Sequence, residues 1–341
     1  MKYLSIVVPS YNSEKYLNKC IDSLLPGGND VEIIIVNDGS KDGTIDIANE
    51  YKEKYPEIIK VVDKENGGHG SGVNAGIREA TGLYFKCVDS DDWVDYDAYM
   101  KLLSTIKQHY EENSSPDLYM TNFVFERVDA GLQVVSGNKH RYPLNKHLTW
   151  KDVRKYGVAE YTVMHSLIFK LSIVRESKVF LPEHTFYVDN VYAYVPMKYV
   201  KTLYYLDVDF YRYYVGRPNQ SVTLANMTKN YKMQLRVMEE LSLAYTYDEI
   251  KSLEKKHRNY MMHDLIAKSF LTIFYVMADY DKEKKEAYKE YFKKFKKENR
   301  ALYYKLRYRT RFCVPFLLIP PLRRLAVMIG YKYIIKSTNW N

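Results

Sequence analysis

Cysteine is scarce in this 341-residue chain, with Cys20, Cys87 and Cys313 the three present and none at metal-site spacing. That excludes a disulfide framework or a zinc ribbon and suits a reduced, cytosolic setting. Long apolar runs are missing too: none reaches 18 residues, so no membrane-spanning helix is expected. Met1-Lys2-Tyr3-Leu4 leads straight into a strand pattern, so no signal peptide is expected. A GxxxxGK[ST] phosphate loop is absent, which excludes a P-loop NTPase. Acidic residues are outnumbered, 42 Asp and Glu against 51 Lys and Arg, for a net charge of +9 that suits an anionic partner. A nucleotide, an anionic membrane or a nucleic acid would each satisfy it. No nucleic-acid-binding motif accompanies the charge, so nucleic acid is not expected as a partner. With 46% hydrophobic and 27% charged residues the chain reads as globular. Its 35 tyrosines are too evenly spread to name a function.

What is present is led by Lys86-Cys87-Val88-Asp89-Ser90-Asp91-Asp92, where an apolar run from Leu83 to Val88 ends in three carboxylates over four positions. Strand alternation explains the run but not the carboxylates, which repel one another and lose solvation if buried. A divalent cation with an anionic ligand behind it would remove that penalty. Hard Mg²⁺ or Mn²⁺ takes one or two carboxylates plus substrate phosphates. The alternative is a helix cap, with Asp91 or Asp92 before Trp93.

The first half alternates strands and helices. Leu4 to Pro9 is a short buried strand, and Ser13 offers a cap for a helix with Tyr16, Leu17, Cys20, Ile21 and Leu24. Val31 to Val36 is apolar and β-branched, the pattern of a central parallel strand, and a helix with Ile45, Ala48 and Tyr51 follows. Ile58 to Val62 forms a third strand, then come a glycine-rich loop, a helix from Val73 to Ala80 and a fourth strand, Leu83 to Val88. Such alternation implies βαβ crossovers and a mostly parallel sheet, whose ligands bind outside the carboxyl ends of the strands. Pro9-Ser10-Tyr11-Asn12, Asn37-Asp38, Asp63-Lys64 and the acidic cluster stand at those ends. The loop from Asn66 to Gly76 follows the third strand, not the first, so it is no dinucleotide fingerprint. Its glycines either bring backbone N–H groups close to phosphate or sugar oxygens, or make a tight turn into a packed helix.

Ser5-Ile6-Val7-Val8-Pro9-Ser10-Tyr11-Asn12, Ile35-Val36-Asn37-Asp38-Gly39-Ser40 with Asp42-Gly43-Thr44, Glu65-Asn66-Gly67-Gly68, Asn74-Ala75-Gly76-Ile77 and Asp89-Ser90-Asp91-Asp92 occur in that order. Together they resemble family 2 glycosyltransferases of the GT-A fold, of the bacterial cell-surface polysaccharide or teichoic-acid type. The resemblance is strong over residues 1 to about 125 and traceable to about 225. It implies a Rossmann-like, mostly parallel sheet flanked by helices, a nucleotide-sugar donor, Mn²⁺ or Mg²⁺, and inversion at the anomeric carbon. It places Pro9, Tyr11, Asn12, Asp38, Asp89 and Ser90 around the nucleoside and Asp91 on the metal. Gly68, His69, Gly70 and Asn74 fall to the donor sugar, the acceptor or the diphosphate. His69-Gly70-Ser71-Gly72-Val73 replaces a stretch in which relatives often carry an arginine.

Inverting transfer needs a carboxylate to take the acceptor hydroxyl's proton, from a segment across the sugar from the diphosphate. Phe180 to Tyr192 holds the candidates. The family similarly places a Glu-Asp pair here, and Val188-Asp189 keeps the aspartate, so Asp189 is the expected base and Glu183 the second choice. An acid opening a helix can also serve only the helix dipole. His165 resembles a residue under the donor sugar, or is a satisfied core histidine. After a strand from Leu203 to Phe210, Arg217, Gln220 and Ser221 resemble a mobile segment in which Arg217 would fork onto the diphosphate. The alternative there is a surface turn with Gly216 and Pro218. Gln220 stands where relatives often have a metal-binding histidine.

From about Asn230 the pattern is helical. Tyr231, Leu235, Met238 and Leu241 share a face, and Leu265 to Ala278 is apolar almost all round. Lys282 to Arg300 sets Tyr288, Tyr291, Phe292 and Phe295 against Lys289, Lys293, Lys294, Lys296 and Lys297, and a basic, apolar tail to Ile335 follows. Such helices lie in a membrane interface or dock on a protein with the basic face solvated. The domain expectation is a GT-A catalytic domain over 1–225, with a nucleotide-sugar half to about 125 and an acceptor half over 126–225, then a helical region over 226–341. The functional expectation is a metal-dependent hexosyl- or N-acetylhexosaminyltransferase on the cytoplasmic face of the membrane. It would use a UDP-sugar and a lipid-linked or polymeric glycan acceptor, with oligomers possible. A non-catalytic nucleotide-binding membrane adaptor and a nucleotidyltransferase are the competing readings.

Overall fold

A computed structural model describes residues 1–157, 160–216, 224–277 and 281–309. The chain divides into two compact units, Met1–Lys155 with Thr162–Pro218, and Tyr156–Tyr161 with Asn219–Asn341. In the first unit β1 (Leu4–Ser10), α1 (Leu17–Leu24), β2 (Val31–Asp38), α2 (Thr44–Lys54), β3 (Ile59–Lys64), α3 (His69–Glu79) and β4 (Tyr84–Cys87) alternate as the hydrophobic pattern predicts. The four strands pair in parallel in the order β3-β2-β1-β4. Every residue of β1 and β2 is buried, which is why both read as continuous apolar runs.

The sheet continues through β5 (Trp93–Val94), β6 (Leu118–Arg127), β7 (Leu132–Ser136), β8 (His147–Thr149), β9 (Leu167–Lys170) and β10 (Thr202–Tyr214), giving the path β3-β2-β1-β4-β9-β6-β10-β5. It is mixed here, since β9 runs antiparallel to both β4 and β6 while β10 and β6 are parallel. This is the GT-A arrangement of a mostly parallel, helix-flanked sheet. One face is closed by Leu17, Cys20, Ile21 and Leu24 of α1 and by Tyr99, Leu102 and Ile106 of α4 (Tyr96–Glu111).

Three local expectations change. Helix α3 starts at His69, four residues before Val73, so Gly70 and Gly72 are helical as well as Gly76. A Cβ there would stand 2.8 Å from the Pro182 oxygen, 3.0 Å from Pro9 Cβ and 2.2 Å from Val7 Cγ1 respectively. These glycines let α3 lie against β1 and the 181–182 segment, which outweighs their poor helix propensity. Ser13 does not cap α1; its hydroxyl shares a 2.7 Å hydrogen bond with Ser90. Neither Asp91 nor Asp92 caps α4, because Asp95 does, accepting from the Ala98 amide at 3.1 Å.

In the second unit α7 (Leu224–Lys229), α8 (Tyr231–Leu243), α9 (Tyr247–Ser252), α10 (Lys255–Met277), α11 (Lys282–Glu298) and α12 (Arg300–Arg309) follow one another. Within α10 the expected apolar stretch holds Lys268, buried and paired with Asp264 at 2.6 Å. Tyr288, Tyr291 and Phe295 of α11 are buried, not open to a bilayer. The Tyr291 hydroxyl shares a 2.7 Å hydrogen bond with Ser242 of α8, and Asn299 donates to the carbonyls of Ser242 and Tyr245. No helix among the described residues is long and apolar enough to cross a membrane. The tail from Arg311 to Ile335 lies outside the described residues, as do Arg217, Gln220 and Ser221.

Candidate active site

The carboxyl ends of β1, β2 and β4, with the start of α3, gather most of the expected residues. Asp38, the last residue of β2, is buried and takes three donors: Lys64 Nζ at 2.6 Å, the Gly67 amide at 3.0 Å and the Gly68 amide at 2.7 Å. The two glycine amides are therefore committed to Asp38, and the turn they make is held by a protein carboxylate. Gly68 needs its φ of +82° to enter α3 from that turn. Pro9 is buried beneath α3, while Tyr11 stands half exposed, 50%, at the mouth. Asn12, at φ +49°, accepts from the Lys41 amide and donates its own amide to Ser40, which bridges the loops after β1 and β2.

The acidic cluster resolves into separate tasks. Asp89 Oδ1 lies 2.9 Å from His69 Nε2. Burial opposes charge on His69, but the Asp89 carboxylate outweighs it and holds the imidazole well above its ordinary pKa. Burial likewise works against ionised Asp89, and His69 overcomes it, so Asp89 sits below the usual carboxylate range. Asp92 is buried and accepts from Tyr211 Oη at 2.6 Å and from the Tyr214 amide at 2.8 Å, pinning β10 to the end of β4. Burial, then the charge of Asp89, pushes Asp92 well above the usual range. Ser90 is buried on Ser13. Asp89 and Asp92 thus have different protein partners, and Asp91 lies between them, partly exposed. Oxygen donors at a strand end fit a hard divalent cation. Asp89, Asp92 and His165 also bring ligand atoms within 4.8 Å of one another, but Asp92 is committed to β10.

Below the cluster Lys86, fully buried, donates to the carbonyls of Met164 at 3.0 Å, His165 at 2.6 Å and Leu167 at 3.4 Å. Burial brings its pKa down to about 7. His165 stacks on Tyr213, with ring centroids 4.7 Å apart, and burial lowers its pKa to about 4. Its Nδ1 is buried without a hydrogen-bond partner. Sequence reading missed Lys86 and Tyr211. A lone lysine inside an apolar strand was the one signal available; Tyr211 reaches Asp89 from 122 residues away and carries none.

The later segment is fastened to α3. Asn74 donates to the Leu181 carbonyl at 2.8 Å and accepts from its amide at 3.0 Å, so it anchors chain and does not present itself to ligand. Ser71 donates to Glu183 at 2.7 Å, and the His184 amide donates to the Gly67 carbonyl at 2.6 Å. His184 (φ +49°) and Tyr187 (φ +66°) adopt left-handed backbone, a conformation strained for these side chains. After α5 (Leu171–Glu176), Asp189 opens α6 (Asp189–Tyr194), partly exposed.

Residues 5–166 match glycosyl transferase family 2. This stretch is a family 2 glycosyltransferase domain. A poly(ribitol-phosphate) beta-glucosyltransferase of Bacillus spizizenii is 28% identical over 236 residues, 65% of this chain and 34% of that protein. Glycosyltransferase GlyA of Streptococcus pneumoniae is 34% identical over 120 residues, 35% of this chain and 17% of that protein. The chain thus spans about a third or less of these relatives' length. It also resembles residues 1–349 of S. aureus TarS, solved with UDP-GlcNAc, at a TM-score of 0.66 and 19% identity. That likeness covers 89% of this chain and 83% of the TarS chain, and it is one of fold.

Proposed function

We propose that the chain is an inverting glycosyltransferase that moves a sugar from a UDP-sugar to a lipid-linked or polymeric glycan of the cell envelope. One observation carries this reading. The nucleotide-side strand ends and the segment leading to Asp189 meet at the start of α3, through Asp38, Gly67, Gly68 and His184. The names of the relatives, a poly(ribitol-phosphate) glucosyltransferase and a UDP-GlcNAc-bound TarS, favour the donor and the envelope setting.

In this reading Tyr11 and Asn12 flank the nucleoside, while Asp38 acts by holding the turn around it. Asp89, oriented by His69, receives the ribose. Asp91 with Asp89 would hold Mn²⁺ or Mg²⁺, which when bound supplies Lewis-acid stabilisation of the leaving diphosphate. Asp189 takes the acceptor hydroxyl's proton as that oxygen attacks the anomeric carbon. Glu183, which accepts from Ser71, is the second candidate. Arg217, Gln220 and Ser221 remain proposed contacts of the diphosphate, and His165 supports the floor beneath the sugar.

We place the protein in the cytoplasm on the inner face of the membrane. The support is the basic face of α11, where Lys285, Lys289, Lys293 and Lys297 are exposed. Each such cation adds about 1 kcal/mol near an anionic leaflet. Donor-hydrolysis and transfer assays with a panel of nucleotide-sugars and Mn²⁺ test the activity. Asp91→Asn and Asp189→Asn are each expected to lose at least about a hundredfold in rate; wild-type turnover in either would remove that residue from its role.

A further inference from the structure

The face of Asp89 turned to α3 holds a different donor set from the one at Asp91. His69 is the first residue of α3, Cys87 the last of β4, and Asp89 lies two residues on. One ligand atom from each, an imidazole nitrogen, the Cys87 sulfur and an Asp89 oxygen, come within 4.8 Å of one another. Cys87 is 1% exposed and forms the floor, whereas the side chains of His69 and Asp89 are 32% and 25% exposed at the rim. An ion arriving from solvent would meet nitrogen and oxygen first and sulfur beneath them. The neighbouring triad of Asp89, Asp92 and His165 is less suited, because Tyr211 and Tyr214 occupy Asp92 and the Lys86 ammonium is nearby.

We propose that His69, Cys87 and Asp89 form a second cation site, selective for a soft or borderline divalent metal such as Zn²⁺, whose occupation inhibits the enzyme. Thiolate and imidazole favour zinc over magnesium or manganese, which prefer carboxylate, carbonyl and water oxygens. Three protein ligands with a fourth position open to water is an ordinary zinc arrangement. Binding displaces the thiol proton and the imidazole proton to solvent. It also takes Asp89 from the ribose and from its partnership with the metal at Asp91, so zinc and donor compete. The inhibition rests on the transfer reading; the site itself does not.

Two measurements on the full chain test the proposal. In the first, Co²⁺ is titrated into wild type and its near-ultraviolet thiolate-to-cobalt absorption recorded. The band is expected in wild type, retained in Cys20→Ser and Cys313→Ser, removed by excess Zn²⁺ and lost in Cys87→Ser. In the second, Cys87→Ser is expected to transfer sugar in Mn²⁺ as wild type does. Its half-inhibiting Zn²⁺ concentration should rise on the order of ten- to hundredfold. An absent band in wild type, or one that survives Cys87→Ser, overturns the site. Equal zinc inhibition in wild type and Cys87→Ser overturns its role. If Cys87→Ser does not fold, the double variant Cys20→Ser/Cys313→Ser, whose sole thiol is Cys87, must still show the band. A chain inactive on every donor but showing the band would sink the transfer reading and leave the cation site standing.

Discussion

At the scale of single residues, the site keeps its charges apart by giving each a different neighbour. Asp89 is ionised against His69, Asp92 is held under Tyr211 and the Tyr214 amide, and Lys86 is surrounded by carbonyls. His165 is one group whose burial makes the fold sensitive to acid. Its folded pKa, about 4, lies below its ordinary 6.5 because burial disfavours the imidazolium. Between those values the unfolded chain binds more protons than the folded one, so stability rises with pH through this window and is lost as pH falls from 6.5 towards 4. The loss attributable to His165 amounts to about 3 kcal/mol at most. Denaturant titrations at pH 4.5 and 7 should therefore differ less in His165→Phe, which keeps the ring stack on Tyr213, than in wild type. An unchanged acid slope would show that other groups dominate. Tyr211→Phe removes the hydroxyl that serves both Asp92 and the Asp89 amide. It should cost about 1 to 3 kcal/mol of unfolding free energy, measured by the same titration.

At the scale of elements, α3 shows how packing decides where a helix begins. A Cβ at Gly70 or Gly76 would meet the Pro182 oxygen or Val7 closer than real Cβ atoms come, and one at Gly72 would press on Pro9 at 3.0 Å. Gly76→Ala is expected to lower stability by about 1 to 3 kcal/mol through overpacking on Val7. Val7→Ala in the same chain should recover much of it, because contacting sites are not additive. Equal melting temperatures for Gly76→Ala and wild type would contradict the packing. This helix also marks how far the sequence could be read. The β-branched run of β2 was legible because a strand buried on both faces needs apolar side chains throughout. Gly70 and Gly72 read as loop because their partners, Pro182 and Pro9, are far away in sequence. The cap at Asp95 was hidden by the more conspicuous acids before it. In β10 the pairing register shifts between Tyr205 and Tyr211, which broke the alternation after Phe210 and concealed the strand's end at Tyr214. Strand-end residues such as Asp38, Asp89 and Asp91 were visible from position alone. Their partners, Gly67 and Gly68 for Asp38 and Tyr211 for Asp92, depend on contacts across the fold.

At the scale of the whole molecule, the two units rest on different physics. The first is a sheet whose apolar strands are covered by helices, and its polar residues collect at the strand ends. The second is helical, with buried polar contacts, Lys268 on Asp264 and Asn299 on two carbonyls, set among aromatic side chains. Phe295 is 2% exposed in that unit, and Phe295→Ala should destabilise it by about 3 to 5 kcal/mol. The check is denaturant unfolding followed by far-ultraviolet circular dichroism, and a loss below about 1 kcal/mol would contradict the assigned burial. Replacing Lys285, Lys289, Lys293 and Lys297 together by glutamine should reduce co-sedimentation with anionic vesicles, with no change on neutral ones. Equal sedimentation would remove α11 as the contact.

The bonds from Gly67 and Gly68 to Asp38, and from His184 to Gly67, also constrain how this chain can diversify. They close a short ring through three distant stretches of sequence, so a residue inserted between Lys64 and His69 would break every bond of that ring together. Length variation is therefore expected to concentrate elsewhere. The turn between β6 and β7 is one such place: Leu132 and Val135 are about half exposed, and nothing lies within 4 Å of where a Cβ on Gly131 would stand. An exposed turn of this kind can lengthen without disturbing that ring, whose own loop keeps a fixed count of residues.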